Sequence, residues 1–401
     1  MARSILVIGD SISLAHVARA IVVARRLQAE GAKVVFATGA WHQQLAAQEG
    51  FEPRELFSVD PERAIAAVQR GSHVFDFETV RRYVESDREL IKDVKPDLVI
   101  GDFRLSLGIS AELAGVEWWS IVNGYMTRFY AAPEKPPETH PLLRRLGRRL
   151  GGRLYPWLKP LALRYFFAWN FNRYRRRAGL KPVRDVLDCI ASERRSLIAD
   201  LPEFAPCANL PPHFDYVGPL VWEPKMAPPD WLDKLDPAKP TVYVTMGSTG
   251  CAGDFRQALE TLSGGGYQVL TTTGRHATSL PKGVFAAEFA PGSALLKRSQ
   301  AVVCHGGNLT IYQAIHEGVP IVGIPTWHDQ EINLDRVEAL GWGVQLRPFR
   351  WTPQELLKAV ERVRQGDYQE RAAKGRERTR TAIAESISRP LIAEAPAAPR
   401  G

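Results

Sequence analysis

Cysteine is scarce in this 401-residue chain. Four occur, Cys189, Cys207, Cys251 and Cys304, far apart and with no Cys-x-x-Cys pair. This excludes a zinc knuckle and a disulfide framework, and it fits a reducing compartment. Long apolar runs are also missing, since none reaches the roughly 20 residues that a membrane span needs. No GxGxxG follows the first apolar segment, and neither GxxxxGK[ST] nor HExxH occurs. The dehydrogenase, P-loop and HExxH metalloprotease classes drop out with them. The opening Met1-Ala2-Arg3-Ser4-Ile5-Leu6-Val7-Ile8-Gly9-Asp10 is too short and ends too polar for a signal peptide. It reads as a buried first strand, and a cytoplasmic protein is expected.

Acidic residues are missing from one stretch. Residues 139–184 hold 13 Lys or Arg and no Asp or Glu, against a whole-chain net charge of +8, which leaves −5 for the remainder. The basic character therefore belongs to one patch, which attracts something anionic. Composition is otherwise ordinary, at 45% hydrophobic and 24% charged. It excludes collagen and a mostly disordered chain. At roughly 100–200 residues per domain, the length suggests two or three domains.

The pattern along the chain is α/β. Residues 4–9 form an apolar strand, followed by the polar loop Asp10-Ser11-Ile12-Ser13, a helix over 16–30 closed by Gly31, and a strand over 33–38. The unit recurs with a strand at 97–102, a helix over 106–114 and a strand over 118–122. Residues 216–220 end the first half. Residues 221–240 contain Pro224, Pro228, Pro229, Pro237 and Pro240 without a regular period and read as a linker. A second half opens with a strand at 241–246 and a Gly-rich turn. Further strands are expected at 268–272, 301–304 and 321–324, and a last helix over 372–387. Alternating strands and helices imply parallel sheets covered on both faces, with ligands at the carboxyl ends of the strands.

The most informative stretch runs from Val303 to Asn333. It reads as strand, His305-Gly306-Gly307 turn, helix, Gly318 stop, strand, and then the polar loop holding Asp329 and Gln330. The glycines let backbone approach a ligand closely. A helix N-terminus behind them suits a phosphate, and His305 adds a donor. Asn308 or Thr310 caps that helix or binds an oxygen.

The stretch resembles the donor-binding signature of family 1 nucleotide-sugar glycosyltransferases with the GT-B fold, HGGxxTxxxAxxxGVPxxxxPxxxDQxxN. Leu14-Ala15-His16-Val17, the strand end at Asp102, Val217-Gly218-Pro219-Leu220 and Thr245-Met246-Gly247-Ser248 extend the resemblance over most of the chain, residues 125–200 excepted. The likeness is to bacterial macrolide/glycopeptide-type and rhamnosyltransferase-type members. It implies two Rossmann-like parallel-sheet domains facing across a cleft. Residues 1–220 would bind acceptor, 221–240 would link, and 241–371 would bind the nucleotide-sugar. A terminal helix at 372–390 would return to the first domain, leaving a loose tail at 391–401.

Carried over by position, His305, Gly306, Gly307 and Thr310 match the diphosphate contacts. Gly247-Ser248 matches the turn that closes over the diphosphate. Phe289 stands where many members have a Trp that stacks on the base; its other reading is a plain core aromatic. Asp329 and Gln330 match the pair that binds sugar hydroxyls. Gln313 replaces a Glu that accepts from both ribose hydroxyls in many UDP-sugar enzymes. A Gln offers one acceptor oxygen and a donor instead, and dTDP-sugar enzymes often lack the Glu, so the resemblance leans to a dTDP-sugar. Leu309 stands at a frequent Gly.

Sugar transfer to a hydroxyl needs a base, and a neutral imidazole suits the task. His16 matches the catalytic His of the family's GHxxP motif, with Ala15 and Arg19 at the Gly and Pro. Asp102 matches the Asp that orients it; the competing reading is a strand-end carboxylate or helix cap. Direct displacement would invert the anomeric carbon. The chain has no Asp-x-Asp, the motif with which many sugar transferases hold a divalent metal. No metal and no cofactor beyond the co-substrate is expected.

Leu142, Leu146 and Leu150 fall on one helical face between arginines. That is the pattern of an interfacial helix. The segment 139–184 reads either as a membrane-facing surface that admits a lipid or other hydrophobic acceptor, or as a solvated basic helix. No nucleic-acid module is visible. The resemblance thus implies an inverting glycosyltransferase acting on a hydrophobic hydroxyl, at the inner face of the membrane if the segment meets lipid. The alternatives are a GT-B nucleotide-sugar epimerase and a catalytically silent sugar-nucleotide-binding protein.

Overall fold

The structure is a computed structural model that describes residues 2–70, 72–274 and 280–392. Within helices, the side chains of 68, 69, 141, 142, 144, 147 and 148 also fall outside the description. Leu142 and most of the C-terminal tail are therefore not described. The chain splits into two compact units. The first holds Met1–Ala131, Leu158–Leu220 and Thr381–Gly401, and the second holds Ala132–Trp157 and Val221–Arg380.

The first unit is built on seven parallel strands: β1 (Ser4–Gly9), β2 (Lys33–Thr38), β3 (Arg54–Glu55), β4 (Leu98–Asp102), β5 (Glu117–Val122), β6 (Arg195–Ile198) and β7 (Phe214–Tyr216). Their order is β3-β2-β1-β4-β5-β6-β7, so the winding reverses between β1 and β4. Ile5 to Ile8 and Leu98 to Ile100 are fully buried, as a strand covered on both faces requires. The register pairs Gly9 with Asp102, which brings the ends of both central strands together at the switch point.

The second unit has six parallel strands: β8 (Thr241–Thr245), β9 (Gln268–Thr272), β10 (Val284–Ala287), β11 (Ala301–Cys304), β12 (Ile321–Gly323) and β13 (Gly343–Gln345). Their order is β10-β9-β8-β11-β12-β13, with the switch point between β8 and β11. Phe255, Leu259, Leu262, Leu356 and Val360 from two helices close one face of this sheet against Val242, Val244 and Val303.

Three segments differ from the sequence reading. Residues 132–157 cluster with the second unit, although the sequence places them within 1–220. The reason is a set of polar anchors: Glu331 accepts from the amides of Glu138 (2.8 Å) and Thr139 (3.2 Å), and Lys135 pairs with Asp335 at 2.5 Å. The 221–240 segment is more than a linker, since Trp222 and Leu232 are buried and Asp230–Lys234 is helical. The last helix spans Asp367–Ser388, longer than expected. Its end sits in the first unit: Arg26 Nη1 donates to Ser386 Oγ at 2.8 Å, and Leu391 N donates to Glu30 at 2.8 Å.

Candidate active site

In the first unit the site starts at the loop after β1. Ser13 is the N-cap of the Leu14–Ala29 helix, its side chain accepting from Ala15 N. His16 and Arg19 follow one turn apart on one face. His16 Nδ1 lies 2.8 Å from Asp102 Oδ1. The carboxylate is fully buried, and the imidazole side chain is 12% exposed. Phe103, the next residue after Asp102, has a φ of +54°. That left-handed conformation is costly for a bulky side chain. It lays the Phe103 ring on the imidazole, with centroids 4.5 Å apart and planes 8° apart.

Arg19 completes the group. Its Nε and Nη2 reach Asp102 Oδ2 and Oδ1 at 2.8 and 2.6 Å, and its Nη1 donates to Asn123 Oδ1 at 2.5 Å. Asn123 Nδ2 donates in turn to Asp200 at 3.1 Å. Burial opposes the Arg19 charge, yet the Asp102 carboxylate beside it holds the guanidinium above its usual pKa. A second buried ion group lies alongside. Arg104 reaches Asp10 at 2.9 Å and Asp87 at 2.8 Å, and burial pushes the Asp10 carboxyl above the usual range.

In the second unit the site forms at the ends of β8 and β11. Gly307 is the N-cap of the Asn308–Glu317 helix. Asn308 is therefore its first residue and not its cap. The first-turn amides of such a helix have no intrahelical acceptor and suit an anion. His305 is 5% exposed. It sits between two glycines: a Cβ on Gly247 would lie 2.5 Å from its Cε1, and one on Gly307 would lie 2.5 Å from its Nε2. Only glycine at both places leaves room for the ring. Thr310 and Ser248 are partly buried, and Asp329 is exposed at the start of the His328–Ala339 helix.

Gln330 has protein partners in the structure. It is 1% exposed. Its Oε1 accepts from Thr326 N (2.8 Å) and Trp327 N (3.1 Å), and its Nε2 donates to Thr249 Oγ1 at 3.2 Å. Its amide serves the protein, whereas the sequence expects it on a sugar hydroxyl. The physical reason is helix capping: the amide satisfies the loop that leads into the helix.

The expected nucleoside end shows a comparable commitment. Gln313 Nε2 donates to the Trp222 carbonyl at 2.7 Å, and its Oε1 would lie 3.3 Å from a Cβ on Gly292. Its single donor group is used, and its oxygen remains the acceptor. Phe289 is 56% exposed, which removes the reading as a core aromatic. Glu223 accepts from Ser293 N and Ser293 Oγ at 3.1 and 3.0 Å.

The structure thus gathers His16 with Asp102, and it gathers Gly247, Ser248, His305, Gly306, Gly307 and Thr310. Sequence reasoning missed Phe103, Asn123, Asp200, Thr249 and Asn333. None of these carries a local signal, because each works through a partner distant in sequence. Among the described residues no cluster of three or more His, Cys, Asp or Glu side chains is placed to hold a metal. No helix among them is long and apolar enough to cross a membrane.

Comparisons with known proteins bear on the fold and the family. Residues 268–394 match the family described as erythromycin biosynthesis protein CIII-like, C-terminal domain. A PGL/p-HBAD biosynthesis glycosyltransferase of Mycobacterium tuberculosis is 34% identical over 367 residues, 91% of this chain and 85% of that protein. A PGL/p-HBAD biosynthesis rhamnosyltransferase of Mycobacterium bovis is 34% identical over 376 residues, 93% of this chain and 83% of that protein. Among solved structures, a spinosyn rhamnosyltransferase complexed with thymidine diphosphate superposes with a TM-score of 0.64 at 18% identity, covering 96% of this chain and 100% of that one. With two parallel α/β sheets, the His305-Gly306-Gly307 turn and relatives matched over most of their length, the chain belongs to the family 1 nucleotide-sugar glycosyltransferases of the GT-B fold.

Proposed function

We propose that the enzyme transfers a sugar from a dTDP-sugar to a hydroxyl of a hydrophobic acceptor, with inversion and without a metal. The observation that carries this reading is His16, held by Asp102 at 2.8 Å and by the Phe103 ring, at the switch point of the first sheet. His16 Nε2 takes the acceptor hydroxyl proton as the oxygen attacks the anomeric carbon. The bond from that carbon to the phosphate oxygen breaks, and its electron pair leaves with the diphosphate. Asp102 stabilises the imidazolium that forms. His305 and the Asn308–Glu317 helix N-terminus receive the charge of the leaving diphosphate.

Three observations support dTDP over UDP. Gln313 presents one acceptor oxygen, its amide nitrogen being held by Trp222. A structural neighbour was solved with thymidine diphosphate, and a relative is named a rhamnosyltransferase. A dTDP-deoxyhexose such as dTDP-rhamnose is therefore the donor to assay first.

The acceptor is a lipid in this proposal, reached at an anionic membrane surface. Leu150, Leu154, Trp157, Leu158 and Leu161 line one face of the Pro141–Leu161 helix and are exposed, Trp157 at 76%. Arg149 and Arg153 are exposed beside them. Aromatic and aliphatic side chains flanked by arginine suit the headgroup boundary of a bilayer.

The deciding experiment measures transfer and dTDP binding together, with the parent, His16→Asn and Asp102→Asn. Loss of transfer with dTDP binding retained supports the assignment. A parent that binds dTDP but neither transfers nor slowly hydrolyses any sugar would support the second reading, a silent sugar-nucleotide-binding protein. The observation favouring that second reading is Arg19, which already engages both oxygens of Asp102. For the membrane part, vesicles containing phosphatidylglycerol should retain the protein, and Trp157→Ser should weaken the retention. Equal retention on pure phosphatidylcholine would remove the electrostatic argument.

A further inference from the structure

His16 has two charged neighbours that act on it in opposite directions. Asp102 Oδ1 lies 2.8 Å from its Nδ1, and Arg19 Nη2 lies 3.1 Å from the same nitrogen. A carboxylate this close favours the charged imidazole, and a charged imidazole accepts no further proton. A guanidinium only donates, so it offers nothing to a proton on Nδ1 and repels an imidazolium. Arg19 also occupies the carboxylate itself, with Nε on Oδ2 at 2.8 Å and Nη2 on Oδ1 at 2.6 Å. On its far side Nη1 donates to Asn123 Oδ1, and Asn123 Nδ2 donates to Asp200 Oδ2 at 3.1 Å. Gly124 N donates to the same Asp200 oxygen at 2.8 Å. Arg19, Asp102, Asn123 and Asp200 are all buried, so salt and water screen these charges little.

We propose that Arg19 is a positioning residue that sets the pH range of sugar transfer: it holds Asp102 Oδ1 towards His16 and offsets the carboxylate's charge, so that the imidazole stays neutral and takes the acceptor proton. Asp102 alone would orient the ring and also charge it. With Arg19 in place the orientation is kept and the charging is opposed. Asp200 works against an excess of that opposition, because its carboxylate returns negative charge to the group through Asn123. The other titratable and charged groups around the pair are Asp10, on the loop after β1 and paired with Arg104 at 2.9 Å, and Tyr125, beside Arg19. Phe103 lies on the ring and carries no charge.

Because this role rests on His16 as the base proposed above, rate and titration are read separately. kcat/KM for transfer from dTDP-rhamnose, or for its slow hydrolysis, is measured against pH. The His16 Cε1 proton is followed by NMR over the same range with carbon-13 histidine, and is identified by its loss in His16→Asn. The proteins are the parent, Arg19→Gln, Arg19→Lys and Asp200→Asn. Arg19→Gln removes the charge and keeps a hydrogen-bond donor. Its acid limb and its His16 titration should both move up by about one pH unit. Asp200→Asn removes the balancing negative charge and should move both down by a smaller step. Arg19→Lys keeps the charge without the fork, so its acid limb should stay near the parent's while kcat falls on the plateau. Damage to the fold alone would lower the rate at every pH and move neither midpoint. An acid limb and a ring titration that stay in place in Arg19→Gln would overturn the proposal and leave His16 as the base. Should Arg19→Gln fail to fold, Asp200→Asn decides, and midpoints that stay or rise there overturn the proposal. A parent that binds dTDP yet neither transfers nor hydrolyses at any pH would overturn the base itself, and the role of Arg19 with it.

Discussion

Arg19 grips both oxygens of Asp102, through Nε at 2.8 Å and Nη2 at 2.6 Å, while His16 shares one of those oxygens. The carboxylate is fully buried and Arg19 is 3% exposed. Buried charges of this kind depend on each other more than they add to stability. Arg19→Leu leaves Asp102 charged and short of partners, and should cost about 3 kcal/mol in urea denaturation. Adding Asp102→Asn to that variant should recover a good part of the loss, because the orphaned charge is gone. A single Arg19→Leu within 1 kcal/mol of the parent, well below the roughly 3–5 kcal/mol of a broken buried pair, would refute this account.

The acid limb of stability should belong in part to His42. Burial lowers its pKa from 6.5 to about 4, and its Nδ1 lies 2.8 Å from Ser11 Oγ. The folded pKa is depressed, so between pH 6.5 and about 4 the unfolded chain binds the proton and the folded chain does not. Stability is therefore present above 6.5 and falls as the pH drops through that window. The slope from this group reaches at most about 1.4 kcal/mol per pH unit. His42→Gln should flatten the curve there while leaving other acid transitions in place. An identical pH profile for parent and variant would clear His42 of the effect.

Activity should persist in excess EDTA. In the proposed donor site the Asn308–Glu317 helix amides and the His305 imidazole bind the diphosphate, and the chain lacks Asp-x-Asp. A rate that collapses in chelator and returns with magnesium would refute the metal-free proposal.

The sequence made the sheets legible because β1, β8 and β11 are continuous apolar runs. The short edge strands β3 and β13, of two and three residues, had no comparable signal. The site was readable where chemistry is local, as in His305-Gly306-Gly307, whose glycines surround a ring the sequence itself names. It was unreadable where a side chain turns inward. Gln330 and Asp329 are adjacent in the motif, yet helix capping buries one and leaves the other exposed. Arg19 showed only as a missing proline; its pairing with Asp102 depends on β1 and β4 meeting in register.

Gln313→Glu should separate the donors. A carboxylate cannot donate to the Trp222 carbonyl, which Gln313 Nε2 now reaches at 2.7 Å. Both donors should therefore lose kcat/KM. The carboxylate also offers a second acceptor, useful to a ribose 2′-hydroxyl and useless to a deoxyribose. The UDP-to-dTDP ratio should rise a few-fold, on the order of 1 kcal/mol. A constant ratio, or a parent already tenfold better with UDP, would remove the case for dTDP.

Gly247 and Gly307 pack against His305, so the same imidazole can be tested by deletion and by displacement. His305→Ala removes the ring and leaves its loop. Gly247→Ala keeps the ring but places a methyl 2.5 Å from its Cε1, at a φ of +54°. The left-handed backbone alone costs alanine about 1 kcal/mol, and the ring must then move. If His305 donates to the diphosphate, both variants lose that charge-assisted bond, worth about 1.5–3 kcal/mol, or roughly ten- to a hundredfold in dTDP affinity. The two losses should not add, since the second change acts on a donor already out of place. Calorimetric titration with dTDP measures each constant, and thermal melts without ligand give the stability separately. A Gly247→Ala protein that melts earlier yet binds dTDP like the parent would show that the ring's position is irrelevant to the anion. The helix N-terminus would then have to bind the diphosphate without His305.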